Sequence, residues 1–319
     1  MEQWQPSASL SHLRLRAQVL SQIRQFFIER QVLEVETPIL SQHTVTDLHI
    51  DSFKTLYHQG QQQRNYYLQT SPEYAMKRLL AAGSGPIFQI SKAFRNSEEG
   101  SRHNPEFTLL EWYRPGFNHF DLMNEMDELL QTVANTLPAE RLTYQEVFQH
   151  TLHLDPYNST LAQLHLYAQQ QSLNIPYLEN KDALLQLLLT HCIEPQLGHE
   201  RPLFLYHFPT SQAALAKINQ TSVPAVAERF EVYIRGIELA NGFHELTDPT
   251  EQFNRFETDQ RLRHQQGKTI IDIDMRLIQA LQQGLPPCAG VALGLDRWLM
   301  LIANASRVDE VLSFAWERA

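Results

Sequence analysis

The chain has 319 residues, 43% of them hydrophobic, which is enough for one large domain or two modest ones around a buried core. Its 26 basic and 36 acidic residues leave a net charge of −10 and a pI of about 5.8, against the bulk electrostatics of a nucleic-acid binder though compatible with a local basic patch. Two cysteines without metal spacing, Cys192 and Cys288, exclude a disulfide framework; the polar start and the lack of any run of membrane length point to a soluble, cytoplasmic protein.

Leu13, Val19, Leu20, Ile23, Phe26 and Phe27 recur at helical spacing and predict a helix over 11–30, followed by an extended segment over 32–38 that ends at Pro38. Ser71-Pro72-Glu73 reads as a helix start, with Ser71 as the cap, Pro72 at the first helical position and Glu73 favoured by the dipole. Residues 87–94 and 107–114 read as strands joined by a polar loop able to fold over a ligand, and 120–136 as a helix. The Gln- and Leu-rich stretch 138–200, helical in patches and notably at 180–194, is expected to be an insertion within a single catalytic domain spanning 1–319. Strands are expected at 203–208 and within 228–241, helices near 249–266 and 274–283, a strand at 288–294 and a helix at 296–304. Strands and helices without a regular βαβ rhythm predict an α+β fold with an antiparallel sheet flanked by helices. No glycine-rich phosphate loop is present, so bound ATP would have to be held by arginines and metal.

Strand alternation puts Phe107, Leu109, Glu111 and Tyr113 on one face and Thr108, Leu110 and Trp112 on the other. An aromatic, a carboxylate and a phenol together suit a ligand face better than a dry core. Further on, a two-residue turn at Arg235-Gly236 would set Tyr233 opposite Glu238, with Glu231 diagonal on the same face. Two carboxylates so held need a cation or a basic group between them, and Mg²⁺ bridging ATP phosphates is the natural occupant. Asn241-Gly242 suits a bulge or tight turn that re-aims Glu245. Gly290-Val291-Ala292-Leu293-Gly294-Leu295-Asp296-Arg297 reads as strand, glycine turn and helix start.

Three of these stretches resemble, in order, the signature motifs of class II aminoacyl-tRNA synthetases in their lysyl version: 11–38, then Phe94-Arg95-Asn96 with His103-Asn104-Pro105-Glu106-Phe107 through Tyr113, then 290–297. The resemblance implies a first motif that builds a homodimer. It implies ATP held by Arg95, Asn96, Ser97, Arg102, His103, Asn104, Phe107, Glu238, Leu239, Gly294 and Arg297, with Arg95 and Arg297 catalytic. Phe107 would stack on adenine, Arg95 would grip the α-phosphate, and Arg102 and His103 would reach the β- and γ-phosphates. Arg297 would cover adenine from the other side. Metal would sit on Glu231 and Glu238. Substrate would be met by Ser71, Pro72, Glu73, Glu111, Tyr113, Asn241, Glu245 and Ala292, with Glu111 and Glu245 clasping a terminal ammonium.

Two letters depart from the lysyl pattern. Ser97 stands where that pattern has Glu, so either Glu98 or Glu99 takes over or the contact is lost; and Ala292 stands where it has Gly. Trp4 to Ser9, Thr44-Val45-Thr46-Asp47, His207-Phe208-Pro209 and Ala292 narrow the resemblance to truncated lysyl-synthetase relatives that attach (R)-β-lysine to elongation factor P. No anticodon-reading module is evident, and tRNA binding is not expected. A minimal enzyme that acylates tRNA, a class II asparagine synthetase and a non-catalytic regulatory relative remain as alternatives. Retention of Arg95, Glu231, Glu238 and Arg297 argues against the last.

Overall fold

The structure, a computed structural model, describes residues 4–173, 178 and 180–319. The first three residues of the polar start, and 174–177 and 179 of the expected insertion, lie outside the described residues. Two units are distinguished: residues up to Phe117 together with Thr247–Ala319, and Asn118–Leu246.

In the first unit, helix α1 (Leu10–Glu29) starts on Ser9, whose Oγ accepts the His12 N–H at 3.2 Å. It buries Val19, Ile23, Phe26 and Phe27 along one stripe, as the spacing requires. Short strands β1 (Leu33–Glu34) and β2 (Leu40–Ser41) lead into a hairpin of β3 (Lys54–Gln59) and β4 (Gln62–Leu68). That hairpin joins β2 in a small separate sheet and was not expected from the sequence. Its side chains are mostly exposed, so no apolar alternation announces it.

Helix α2 (Glu73–Ala81) begins one residue later than the sequence suggests. Pro72 takes the cap position, and Ser71 Oγ still accepts the Glu73 N–H at 3.0 Å. Strands β5 (Ile87–Phe94) and β6 (Glu106–Pro115) pair antiparallel from Ile87↔Tyr113 to Phe94↔Glu106.

The second unit opens with helix α3 (His119–Ala134), closed at its start by a reciprocal capping box between Asn118 and Asp121. Then come β7 (Glu140–Thr143), α4 (Tyr144–Leu152), α5 (Leu161–Gln170) and α6 (Lys181–Leu188). Strands β8 (Leu203–Pro209), β9 (Ile218–Asn219), β10 (Val226–Ile234) and β11 (Ile237–His244) complete it. β10 pairs antiparallel with β8, β9 and β11, and β8 pairs parallel with β7. The 138–200 stretch contributes α4, α5 and α6, whose Tyr144, Phe148, Leu164, Leu184 and Leu188 pack with Leu205 and Phe208 in one core.

The chain returns to the first unit with α7 (Pro249–Gln265), α8 (Met275–Gly284), β12 (Cys288–Gly294) and α9 (Leu295–Ile302). β12 pairs antiparallel with β6, and β1 parallel with β5, so this unit's strands run β1-β5-β6-β12. Phe27 of α1 stacks on Phe88 at 4.5 Å between centroids and meets Trp112 edge-on at 5.3 Å. α1 therefore covers one face of β5 and β6. Phe107, Leu109, Glu111 and Tyr113 alternate to the other. Among the described residues no helix is long and apolar enough to cross a membrane.

The β10–β11 hairpin turns at Arg235 and Gly236, both at positive φ (52° and 69°), the geometry of a two-residue turn that follows strand twist. It is braced by Gly198, whose carbonyl accepts the Arg235 N–H at 2.8 Å. Gly198 sits at φ +71°, and a Cβ there would lie 2.3 Å from the Tyr233 carbonyl oxygen. Gly198→Ala is expected to lower stability by about 1–3 kcal/mol, read as a lower urea midpoint; an unchanged midpoint would show that the hairpin does not depend on this turn.

Candidate active site

Glu111 lies mid-strand on β6 at 2% exposure, flanked in register by Gln89 on β5 and Ala292 on β12. Directly paired residues share a face, so the Ala292 methyl stands beside the Glu111 carboxylate. Ser71 Oγ, just ahead of α2, donates to Glu111 Oε2 at 2.8 Å, and the Tyr113 hydroxyl donates to Oε1 at 2.6 Å. One turn into α2, Lys77 Nζ lies 2.7 Å from Glu73 Oε1, with Lys77 buried. Burial and the neighbouring Glu73 charge push Glu111 up to about 7, against the pull of the two hydroxyls and Lys77. Ser71, Pro72, Glu73, Glu111, Tyr113 and Ala292 are thus brought together. Lys77 was missed, although Glu73 and Lys77 have the i,i+4 spacing of a helical ion pair.

Further along the same strand face, Phe107 has the Arg95 guanidinium 5.1 Å from its ring centroid. Its neighbours across the sheet are small: Ala93 opposite Phe107, and Ser91 and Gly294 opposite Leu109. Small residues beside a large aromatic leave a shelf. Arg297, in the first turn of α9, donates to the Arg102 carbonyl at 3.3 Å and contacts His103. The His103 ring is pushed down to about 4, by loss of surrounding water and then by the charges of Arg297, Arg95 and Arg102. Three guanidiniums thus gather around a neutral imidazole in a chain of net charge −10. Arg95 Nε is buried and has no hydrogen-bond partner among the described residues. This is a built site for a polyanion.

The anchor under Arg297 is Asp296, which the sequence reading passed over. Its carboxylate accepts the Thr108 N–H at 2.7 Å and pairs with Arg16 of α1 at 2.6 Å. Thr108 lies one residue beyond the last β6–β12 pair, so Asp296 takes an N–H left over at the sheet's end. It thereby fixes the start of α9 to the strand that carries Phe107. An acidic residue in the first turn of a helix was the available signal.

The other expected phosphate residues differ in kind. Asn104 spends both amide atoms on structure, donating to the Glu106 carbonyl within the loop at 2.6 Å and accepting the N–H of Trp316 in the C-terminal segment at 2.9 Å. Asn96 and Ser97 are exposed, with Ser97 at φ +66° and the Asn96 N–H on the Asp51 carbonyl at 2.7 Å. Of the two carboxylates that follow, Glu98 Oε1 stands 3.9 Å from Arg95 Nη1. Gly294 caps α9.

In the second unit, Tyr233 pairs with Glu238 as the turn dictates, while Glu231 pairs with Asn241. The register slips between these two pairs, so the bulge falls at Leu239 and not at Asn241-Gly242 as expected. Asn241 and Gly242 continue the strand because the Phe230 ring lies across Gly242: an added Cβ would come within 2.3 Å of it. Glu231, Tyr233, Glu238, Asn241 and Glu245 alternate to one face. Glu245 is 1% exposed, and Leu239 buries its side chain. Glu231 is engaged by Arg229 and by the Tyr233 hydroxyl, the latter at 2.5 Å. Burial and Glu238 nonetheless push it up to about 7, against Arg229. Arg229 is thus a basic partner of Glu231 that spacing on the strand could have pointed to, lying two residues before it on the same face. Glu231 and Glu238 together are hard oxygen donors fit for a divalent cation.

A family model described as tRNA synthetases class II (D, K and N) matches residues 3–318. A Haemophilus influenzae protein named elongation factor P–(R)-β-lysine ligase is 51% identical over 321 residues, covering 100% of this chain and 99% of that protein. Proteins of the same name from Salmonella paratyphi B and Salmonella dublin are 54% identical over 320 residues, covering 99% of this chain and 98% of theirs.

Because folded Glu111 holds its proton more tightly than the unfolded value of 4.5, its contribution to stability is present below about 4.5 and is lost as pH rises to about 7. Glu111→Gln is expected to remove a slope of up to about 1.4 kcal/mol per pH unit in that window. Urea unfolding at pH 5, 6 and 7 checks it, and an unaltered slope would show that Glu111 titrates normally.

Proposed function

The chain belongs to the class II tRNA synthetase family, and from that membership we propose that it is an ATP-dependent ligase that activates (R)-β-lysine as an adenylate and transfers it to a lysine side chain of elongation factor P. The substrate carboxylate attacks the α-phosphorus of ATP and pyrophosphate leaves. The acceptor amine then attacks the adenylate carbonyl and AMP leaves, forming the amide. The supporting observation is that β6 carries the buried carboxylate Glu111, which burial pushes up, and starts beside a cluster of three guanidiniums around His103, with Arg95 over its Phe107.

Arg95 and Arg297 are the catalytic groups. With Arg102 they hold the phosphates, and Arg95 meets the charge that builds on the α-phosphate. Phe107 is the adenine shelf, with the backbone at Gly294 beside it. Neutral His103 donates a hydrogen bond instead of adding a fourth charge. Asn96, Ser97 and Asn104 shape the loop that carries these groups, and Glu98 steadies Arg95. Glu111 receives the substrate ammonium, oriented by Ser71 and Tyr113, with Pro72 and Glu73 setting the start of α2. Asn241 and Glu245 are further substrate-side groups. Glu238, with the Leu239 backbone, serves the nucleotide. Glu231 and Glu238 hold Mg²⁺, which when bound offsets phosphate charge.

The Ala292 methyl, standing where the lysyl pattern has glycine, favours an amine displaced to the β-carbon over the α-amino acid. A homodimer built through the first motif, a cytoplasmic location and no role for tRNA complete the reading.

Offered ATP, (R)-β-lysine, elongation factor P and bulk tRNA, the protein is expected to shift the mass of elongation factor P by one β-lysyl group and leave tRNA unacylated. Acylated tRNA with unmodified factor would overturn this. Arg95→Ala is expected to lower ATP–pyrophosphate exchange by about 100-fold or more. Ala292→Gly should move the β- over α-lysine preference by about tenfold; an unchanged preference defeats the role given to the methyl.

A further inference from the structure

The second unit holds a cluster that the proposed reaction does not use. His119 opens α3, Glu228 lies on β10 and His244 ends β11; one ligand atom from each lies within 4.8 Å of the other two. His207 of β8 joins them, its Nε2 at 3.4 Å from His119 Nε2. We propose that His119, Glu228 and His244 form a binding site for a zinc-class divalent metal ion, with His207 as an outer partner or fourth ligand.

Strand parity separates this site from the carboxylates assigned to Mg²⁺. Phe230 and Gly242 pair across β10 and β11, and Glu228 and His244 extend their face. Glu231, Tyr233 and Asn241 alternate to the opposite face. The cluster thus lies where α3 packs on β10 and β11. Two imidazoles and one carboxylate are a donor set that zinc accepts, and that Mg²⁺, which prefers oxygen, does not.

Three observations mark it as a built site. The donors come from three separate elements, so folding alone assembles them. His119 is 3% exposed, and its Nδ1 has no hydrogen-bond partner among the described residues. Glu228 is hydrogen-bonded to His244 Nδ1 and sits where β10 slips register against β8, between Ala227 and Phe230. That bulge aims an acidic side chain at imidazoles. A metal here would clip α3 to the hairpin that carries Glu231 and Glu238.

The test uses the full chain stripped of metal, with Co²⁺ as a coloured substitute for zinc and no ATP or amino acid present. One equivalent of Co²⁺ per chain is expected to give visible bands of a low-coordinate N/O site, discharged by Zn²⁺, and Zn²⁺ should raise the melting temperature. The bands should vanish in His119→Ala and His244→Ala and persist in His58→Ala, on the exposed β3–β4 hairpin. Glu228→Gln, which keeps the side chain's shape, should weaken Zn²⁺ binding at least about tenfold, with circular dichroism confirming that it is folded. A spectrum of fully hydrated Co²⁺ in the native chain would overturn the proposal. So would bands that survive in both histidine variants, or a melting temperature indifferent to Zn²⁺.

Discussion

A carboxylate placed mid-strand and shut off from water is the constraint on which the first unit turns. Glu111 has two hydroxyls donating to it, and Lys77, the ammonium in its surroundings, already pairs with Glu73. Such an acid stays ionised only with difficulty. Its surroundings act to hold it in place, not to neutralise it. Ser71 reaches it from the start of α2, Tyr113 from two residues along its own strand, and Ala292 closes the side facing β12. On the other face of β5 and β6, Phe27, Phe88 and Trp112 pack in a buried aromatic layer, Phe88 stacked on Phe27 and Trp112 edge-on to it. A ligand ammonium would complete the charge balance that the fold leaves open.

The loop that leads into β6, with the first turn of α9, carries the opposite charge. Arg95, Arg102 and Arg297 gather around His103, and Asp296 ties the helix carrying Arg297 to Thr108. A buried acid mid-strand and a basic cluster beside the strand's start are the arrangement that the proposed substrates, an ammonium-bearing acid and a nucleotide, would need. The second unit repeats the device: Glu231 is buried, lifted by Glu238, and only partly balanced by Arg229 and Tyr233. In both places the fold holds a carboxylate that burial pushes up, and the proposed reaction would supply its missing partner from the ligand.

Much of this is legible in the letters, for a specific reason. Strand alternation fixes which side chains share a face, so Phe107, Glu111 and Tyr113 group correctly without knowledge of the fold. The Arg235-Gly236 turn sets Tyr233 against Glu238 because a two-residue turn fixes the pairing of the residues that flank it. What escapes are partners brought from elsewhere. Lys77 and Asp296 matter through what they touch, which spacing alone does not single out. The bulge was sought at Asn241-Gly242, where glycine invites one, but the Phe230 ring needs that glycine for room and the slip falls at Leu239. The β3–β4 hairpin left no clear trace because its strands are largely exposed on both faces and show no polar–apolar alternation. The four residues of the histidine–glutamate cluster are scattered over more than 120 positions, and only the packing of α3 on the sheet unites them.

Calorimetric binding of (R)-β-lysine near pH 6.5, repeated in buffers of different ionisation heat, tests the central claim most directly. If Glu111 is held partly protonated until an ammonium arrives, binding releases protons from the native chain, and that release disappears in Glu111→Gln. A proton count of zero in the native chain, or one that is the same in the variant, would contradict the account.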